Sequence, residues 1–231
     1  MTDILGQAIW DYYDTDTTEQ LWVHDHFGPK VEMLVEVYYR DYEEMPALEK
    51  MALAQCYGRI LDIGAGAGSH AIALEMRGYE CTALDISPLA VQTMTARGAD
   101  DAICADIFQY QPNEKYDTLL MLMNGIGLAG TITGLRTFLA KAATLLKEDG
   151  QIIFDSSDVD YLYEDGEPMP LDKYYGEVTC CYEYKNETSD WFSWLYIDRN
   201  TMAGIAQSCG WKMQVLTEDE TGQYLAKLVK L

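Results

Sequence analysis

Asp62-Ile63-Gly64-Ala65-Gly66-Ala67-Gly68 places three alternating glycines directly after a carboxylate. Glycine allows a sharp turn and lets a ligand approach both the backbone amides and the start of a following helix. Asp85 lies 21 residues after Gly64, at the end of the next apolar run, where a carboxylate can accept from both hydroxyls of a ribose. Asp106 follows a third apolar run, where an adenine edge would lie. Each feature has a plainer reading: a tight turn, a helix N-cap at Asp85, an exposed loop acid at Asp106. Ser87, directly before Pro88, fills the N-cap role better than Asp85.

These residues need strands to end where they stand, and the pattern supplies them. Arg59–Ile63, Tyr79–Leu84, Asp101–Cys104, Tyr116–Met123 and Gln151–Phe154 are short apolar runs without in–out alternation. Helical segments fall between them at Ser69–Arg77, Ser87–Arg97 and Gly130–Leu146. This alternation predicts a doubly wound α/β fold, its mostly parallel sheet covered on both faces. Beyond it, Val178–Tyr184 and Trp191–Ile197 predict a long hairpin, Thr201–Cys209 a helix, and Trp211–Leu216 with Gln223–Val229 a closing hairpin. The first 57 residues are expected to be mostly helical, most clearly over Glu32–Tyr42 and Pro46–Cys56.

Together the three strand ends resemble the class I methyltransferases that use S-adenosylmethionine. Leu61–Gly68 is similar to that family's glycine motif, Ala83–Ser87 to its ribose-binding strand end, and Ala105-Asp106-Ile107 to its adenine loop. Tyr116-Asp117 to Asn124 and Leu145–Gln151 are similar to the motifs that follow. The resemblance implies a seven-stranded Rossmann-like sheet of order 3-2-1-4-5-7-6, its seventh strand antiparallel. It also implies that Gly64, Gly66 and Gly68 face the methionine part of the cofactor, with Asp62 orienting the turn or the amino group. Asp85 would bind the ribose, and Ile86 would pack on the adenine. Asp106 would accept from the adenine amino group beside Ile107, while Met123 and Asn124 would border the transferred methyl. Four regions follow: an N-terminal helical cap over 1–57, the cofactor core over 58–155, an insertion or lid with its hairpin over 156–198, and the closing elements over 199–231.

The acceptor is less defined. Nucleobase amino-methylating enzymes carry Asn/Asp-Pro-Pro-aromatic after the fourth strand, whereas Asn124-Gly125-Ile126-Gly127 stands here. No proline precedes a cysteine, against a cytosine-C5 enzyme. A formal net charge of −22 further disfavours nucleic acid. Residues 1–57 carry net −9 and 155–198 net −10, with many tyrosines, which favours a small neutral or cationic acceptor. Acceptors that lose a proton need a base. The candidates are Asp155 and Asp158, Tyr12 and Tyr13, and His24 with His26, each with an ordinary loop, packing or surface alternative. His24-Asp25-His26 lacks a third ligand, so no metal is expected.

Two rival functions remain. A non-catalytic S-adenosylmethionine-binding protein would share every cofactor feature. An NAD-dependent oxidoreductase would want GxGxxG, but Ser69 occupies the third glycine position. The uncharged stretch 118–135 contains four glycines and predicts strand, loop and helix start rather than a membrane span. With no basic-then-apolar start and no CxxC spacing, a cytoplasmic protein with reduced thiols is expected. The oligomeric state is left open.

Overall fold

The computed structural model describes residues 2–15, 19–163 and 168–231. The chain opens with α1 (Ile4–Thr15), strands β1 (Leu21–His24) and β2 (Val31–Met33), 3-10 turns at Val35–Tyr39 and Tyr42–Glu44, and α2 (Ala47–Gln55). The core follows as β3 (Arg59–Ile63), α3 (Ser69–Glu75), β4 (Glu80–Asp85), α4 (Pro88–Arg97), β5 (Ala102–Cys104), β6 (Tyr116–Met121), α5 (Ile132–Leu145) and β7 (Leu146–Ser157). After it come β8 (Glu177–Tyr184), β9 (Glu187–Thr188), β10 (Phe192–Leu195), α6 (Arg199–Ser208), β11 (Trp211–Glu218) and β12 (Gln223–Lys230).

Local chemistry sets these boundaries. Ser87 caps α4 by accepting from the Ala90 amide, and Gly98 stops it at φ +96°. Thr131 caps α5 through the Gly134 amide, and α5 buries Leu135, Phe138, Leu139, Ala142 and Leu145 along one stripe. β3 and β6 are buried on both faces, which explains why they lack in–out alternation. Residues 118–135 are the body of β6, a 3-10 turn and the start of α5. Among the described residues, no helix is long and apolar enough to cross a membrane.

The seven-stranded sheet runs β11-β12-β7-β6-β3-β4-β5, the expected 3-2-1-4-5-7-6 order. β12 is antiparallel to both its neighbours. Leu61, Leu119 and Ile152 face α5 and α6 on one side, while Ile60, Leu120 and Ile153 join Leu53, Leu74 and Met94 on the other. The order reverses between β3 and β6, which opens a crevice at their carboxyl ends.

Residues 1–57 are less helical than expected. Glu32–Tyr42 forms β2 and 3-10 turns, and β1 precedes it across Gly28-Pro29. β1 and β2 complete a second, antiparallel sheet, β10-β8-β1-β2, with β9 folded back on β8. Valines and tyrosines dominate Val35–Tyr39 and are weak helix formers, so pairing with the distant β8 prevails over local periodicity. The 178–197 hairpin forms as expected, with Lys185 and Asn186 at positive φ turning the chain into β9.

Candidate active site

The glycine turn is built against the end of β4. Gly66 and Gly68 adopt φ +57° and +84°, where a side chain would be strained. A Cβ on Gly66 would lie 2.9 Å from the ring of Tyr38. Asp85 holds the turn: its Oδ2 accepts from the Gly66 amide and its Oδ1 from the Ser87 amide, both at 2.9 Å. Burial raises the Asp85 pKa, while those two amides pull it back down. Each carboxylate oxygen keeps a further lone pair. Ser69 donates to the Tyr38 carbonyl at 2.7 Å, and Arg97 spans from the Ala67 carbonyl (2.6 Å) to the Tyr39 carbonyl (3.3 Å). The Tyr38-Tyr39 backbone is thereby tied to the turn.

Asp62 lies beneath the turn, 2% exposed, and its Oδ2 has no hydrogen-bond partner. Burial pushes its pKa up to about 6, against the favourable charge of His70. Space is open above Gly64, with no atom within 4 Å of where a Cβ would stand. At the neighbouring strand ends, Ile86 is 71% exposed and Ile107 is buried. Asp106 accepts from the Phe108 amide and from Gln109, so part of its capacity closes its own loop. The Ala105 amide donates to the Asp85 carbonyl, joining the Asp85 and Asp106 strand ends.

Across the crevice, Met123 and Asn124 both take left-handed backbone, uncommon for residues other than glycine. Asp155 sustains this conformation, accepting the Asn124 amide on both oxygens at 2.9 and 3.1 Å and Gln223 at 3.1 Å. Burial raises Asp155 to about 6. The Asn124 Oδ1 is buried without a partner. Trp194 of β10 lies over the loop after Asn124, its indole nitrogen 2.1 Å from where a Gly127 Cβ would be.

The structure therefore gathers Asp62, Gly64, Gly66, Gly68 and Asp85 into one unit, with Met123, Asn124 and Asp155 opposite. Of the other candidate bases, the tyrosines and histidines are engaged elsewhere. Tyr12 packs on Tyr39, Tyr13 donates to the Ala96 carbonyl, His24 meets Glu183 at 2.7 Å, and His26 stacks on Trp191. Asp158 accepts from Tyr175 at 2.6 Å and lines a cleft of about 570 Å³ with Ser157, Asp160, Tyr161, Glu220, Thr221 and Gly222. Sequence reasoning missed Tyr38, Glu49, His70 and Trp194. Of these, only His70, two residues past the last glycine of the turn, carried a signal by position. No group of three or more potential metal ligands occurs among the described residues.

A family profile described as "Methyltransferase domain" matches residues 60–150. A crystal structure of an S-adenosylmethionine-dependent methyltransferase from Bacteroides fragilis, in complex with S-adenosylhomocysteine, is 41% identical to the chain. It superposes with a TM-score of 0.91 over 99% of this chain and 94% of that one. The chain belongs to the class I S-adenosylmethionine-dependent methyltransferases. The amino pentose methyltransferase CalS10 of Micromonospora echinaspora shares the methyltransferase fold at 15% identity, with a TM-score of 0.61 over 88% of this chain and all of that one. A curated relative from Geobacillus sp. (strain WCH70), carrying a methyltransferase name, is 24% identical over 132 residues. That match covers 54% of this chain and 53% of the relative, about half its length.

The residues fit the methyltransferase cofactor. The unpartnered Asp62 oxygen suits an ammonium group, the open space at Gly64 suits an approaching ligand, and Asp85 keeps lone pairs for hydroxyls. Ser69, whose hydroxyl is bound to the cap, replaces the third glycine that a dinucleotide turn would use.

Proposed function

We propose that this methyltransferase acts on a small neutral or cationic acceptor, an amine or a hydroxyl, held between the Asn124 end of the crevice and the cap. Asp85 would receive the ribose hydroxyls, Asp62 the ammonium, and the amides of Gly64, Gly66 and Gly68 the methionine part. Ile86, Asp106 and Ile107 would border the adenine, with Met123 and Asn124 beside the methyl. When bound, S-adenosylmethionine supplies a methyl group on a good leaving group. The chain then has to align the acceptor, exclude water and take up a proton.

The observation that carries this reading is the cleft at the end of β7. Asp158, Asp160, Tyr161 and Glu220 line it, so it favours cations over phosphates or sulfates. Residues 1–57 and 156–198 serve as the cap over the crevice, and residues 58–155 and 199–231 as the cofactor-binding body. Asp158 is the proposed proton acceptor, because it faces the cleft while Asp155 is committed to the Asn124 turn. The CalS10 and KedS8 structures, an amino pentose methyltransferase and a sugar N-methyltransferase, support an amine acceptor as neighbours in fold. Six free cysteines accord with a reducing cytoplasm. Turnover against matched amines, neutral alcohols and carboxylic acids, at low and moderate salt, tests the assignment. Preference for an anionic acceptor, undiminished at low salt, would overturn it.

A further inference from the structure

Behind the glycine turn, Arg40, Glu49 and His70, from three parts of the chain, form a line of ion pairs beside the buried Asp62. Arg40, just after the Val35–Tyr39 turn of the cap, donates to Glu49 Oε1 at 2.6 Å. Glu49 on α2, 6% exposed, meets His70 Nε2 with its other oxygen at 2.9 Å. His70, in the first turn of α3 and 7% exposed, reaches Asp62 through its charge alone, with no hydrogen bond between the two. The charges alternate in sign from Arg40 to Asp62, which holds the one carboxylate oxygen of the set that has no partner.

Fold stability alone does not account for such a line, since apolar side chains of similar volume commonly serve a core as well or better. Asp62, whose Oδ2 is left without a partner, stands two residues before the first glycine of the turn. We propose that His70, held by Glu49 and Arg40, is a positioning residue whose charge keeps Asp62 ionised to receive the ammonium group of S-adenosylmethionine. This rests on the reading of Asp62 given above and extends it to residues that touch no cofactor.

The surroundings support the assignment. Asp62 is influenced by Asp85 on β4, which opposes its ionisation, and it shares its environment with Cys81, Cys56 and Glu75. Arg77 lies near Cys56, and Asp155 on β7 senses both Glu49 and His70. The Ala71 amide and the charge of His70 are the influences that favour the Asp62 carboxylate. Burial lowers the His70 pKa, but the Glu49 hydrogen bond and the Asp62 charge outweigh it and leave it raised. Those partners favour the His70 cation, and its charge in turn favours the Asp62 carboxylate. The same line reaches Arg40 in the cap, so cap placement and cofactor-site charge are linked.

The sign of the effect follows. In the free protein Asp62 takes up a proton as pH falls through about 6. An ammonium ligand then loses its partner, and its affinity should fall by up to about tenfold for each further pH unit. His70→Asn keeps a donor for Glu49 but removes the cation, so the break in log Kd should move upward by about one unit. Glu49→Gln should move it the same way by less, because His70 then loses the partner that keeps it protonated.

The test is calorimetric titration of the intact protein between about pH 5 and 8.5. The ligands are S-adenosylhomocysteine, which carries the amino acid group, and 5′-methylthioadenosine, which keeps the nucleoside but lacks it. The expected result is a break near 6 for S-adenosylhomocysteine in the wild type, shifted upward in His70→Asn and part-way in Glu49→Gln. Binding of 5′-methylthioadenosine should be flat and equal in all three proteins. Superimposable profiles for wild type and His70→Asn overturn the proposal. So does a uniform loss at every pH for both ligands, which marks a purely structural role. Asp62→Asn separates this failure from that of the underlying reading. If it binds S-adenosylhomocysteine like the wild type, the Asp62 assignment itself falls; if it binds more weakly with the His70 profile unchanged, only the positioning role does.

Discussion

Replacing Asp85 with alanine separates two duties carried by one carboxylate. The first is intramolecular, since the Gly66 and Ser87 amides both lose their acceptor. Gly66 is buried, so its N–H cannot turn to water, and an unsatisfied buried donor costs about 1–3 kcal/mol. Ser87 is half-buried and its amide recovers a water. Removing a desolvated carboxylate returns part of the loss, because burial already raises the Asp85 pKa. The net expectation is about 1–2 kcal/mol of lost stability, or roughly 2–8 °C in Tm for a chain of this length. The second is the proposed one toward the ribose, where hydrogen bonds to a charged group would contribute about 1.5–3 kcal/mol, or about 10–100-fold in Kd. Thermal denaturation of the ligand-free protein reads the first duty. Calorimetry with S-adenosylhomocysteine, well below the mutant Tm, reads the second. Asp85→Asn keeps one carbonyl acceptor and should fall between wild type and Asp85→Ala in both. An unchanged Kd in a folded mutant refutes the ribose assignment, and an unchanged Tm refutes the turn-holding role.

Gly66→Ala, at φ +57° with Tyr38 in the way, should cost about 1–2 kcal/mol and weaken S-adenosylhomocysteine. Gly78→Ala, at φ +86° in open space, should lose similar stability with no change in affinity, and equal affinities in the two mutants would disprove the role of the turn. Asp155 binds its proton more tightly folded than unfolded, so its ionisation subtracts stability as pH rises from the ordinary 3.8 to about 6. Asp155→Asn, which still accepts from the Asn124 amide, should therefore gain on the wild type by up to about 3 kcal/mol in denaturant titrations above pH 7. That gain should vanish near pH 4, and a constant difference would contradict the argument. Hydrogen exchange with S-adenosylhomocysteine should protect Val35–Tyr39 and Glu177–Leu195 as well as the glycine turn. Protection confined to the turn and the Asp85 strand end would remove the cap from the site.

The core was legible because its information is local. Arg59–Ile63 and Tyr116–Met121 are apolar on both faces, Ser87-Pro88 announces a helix start, and Gly98 announces its stop. The glycine turn and Asp85 could be found for the same reason, since a strand end fixes both. β1 and β2 could not, because their pairing partner β8 lies far along the chain while Glu32–Tyr42 by itself offers a helix-like spacing. Nor could the Arg40–Glu49–His70 line, whose members have no sequence relation and meet only once α2 packs beside α3. Asp155 was legible as a residue but not in its geometry. It was marked as a possible base, and only the fold shows it holding the backbone of Asn124.

The pairing of β1 with β8 also orders events during synthesis. Trp22 sits opposite Glu183, and His24 opposite Cys181, so the amino-terminal hairpin cannot complete its sheet until those residues leave the ribosome. At about 5–20 residues per second, that is a wait of roughly 8–30 s. The parallel core up to β7 can condense in that interval, with β1 presenting unpaired backbone to solvent. A nascent chain stalled before β8 would hold that exposed edge, and chaperones would have most reason to bind it there.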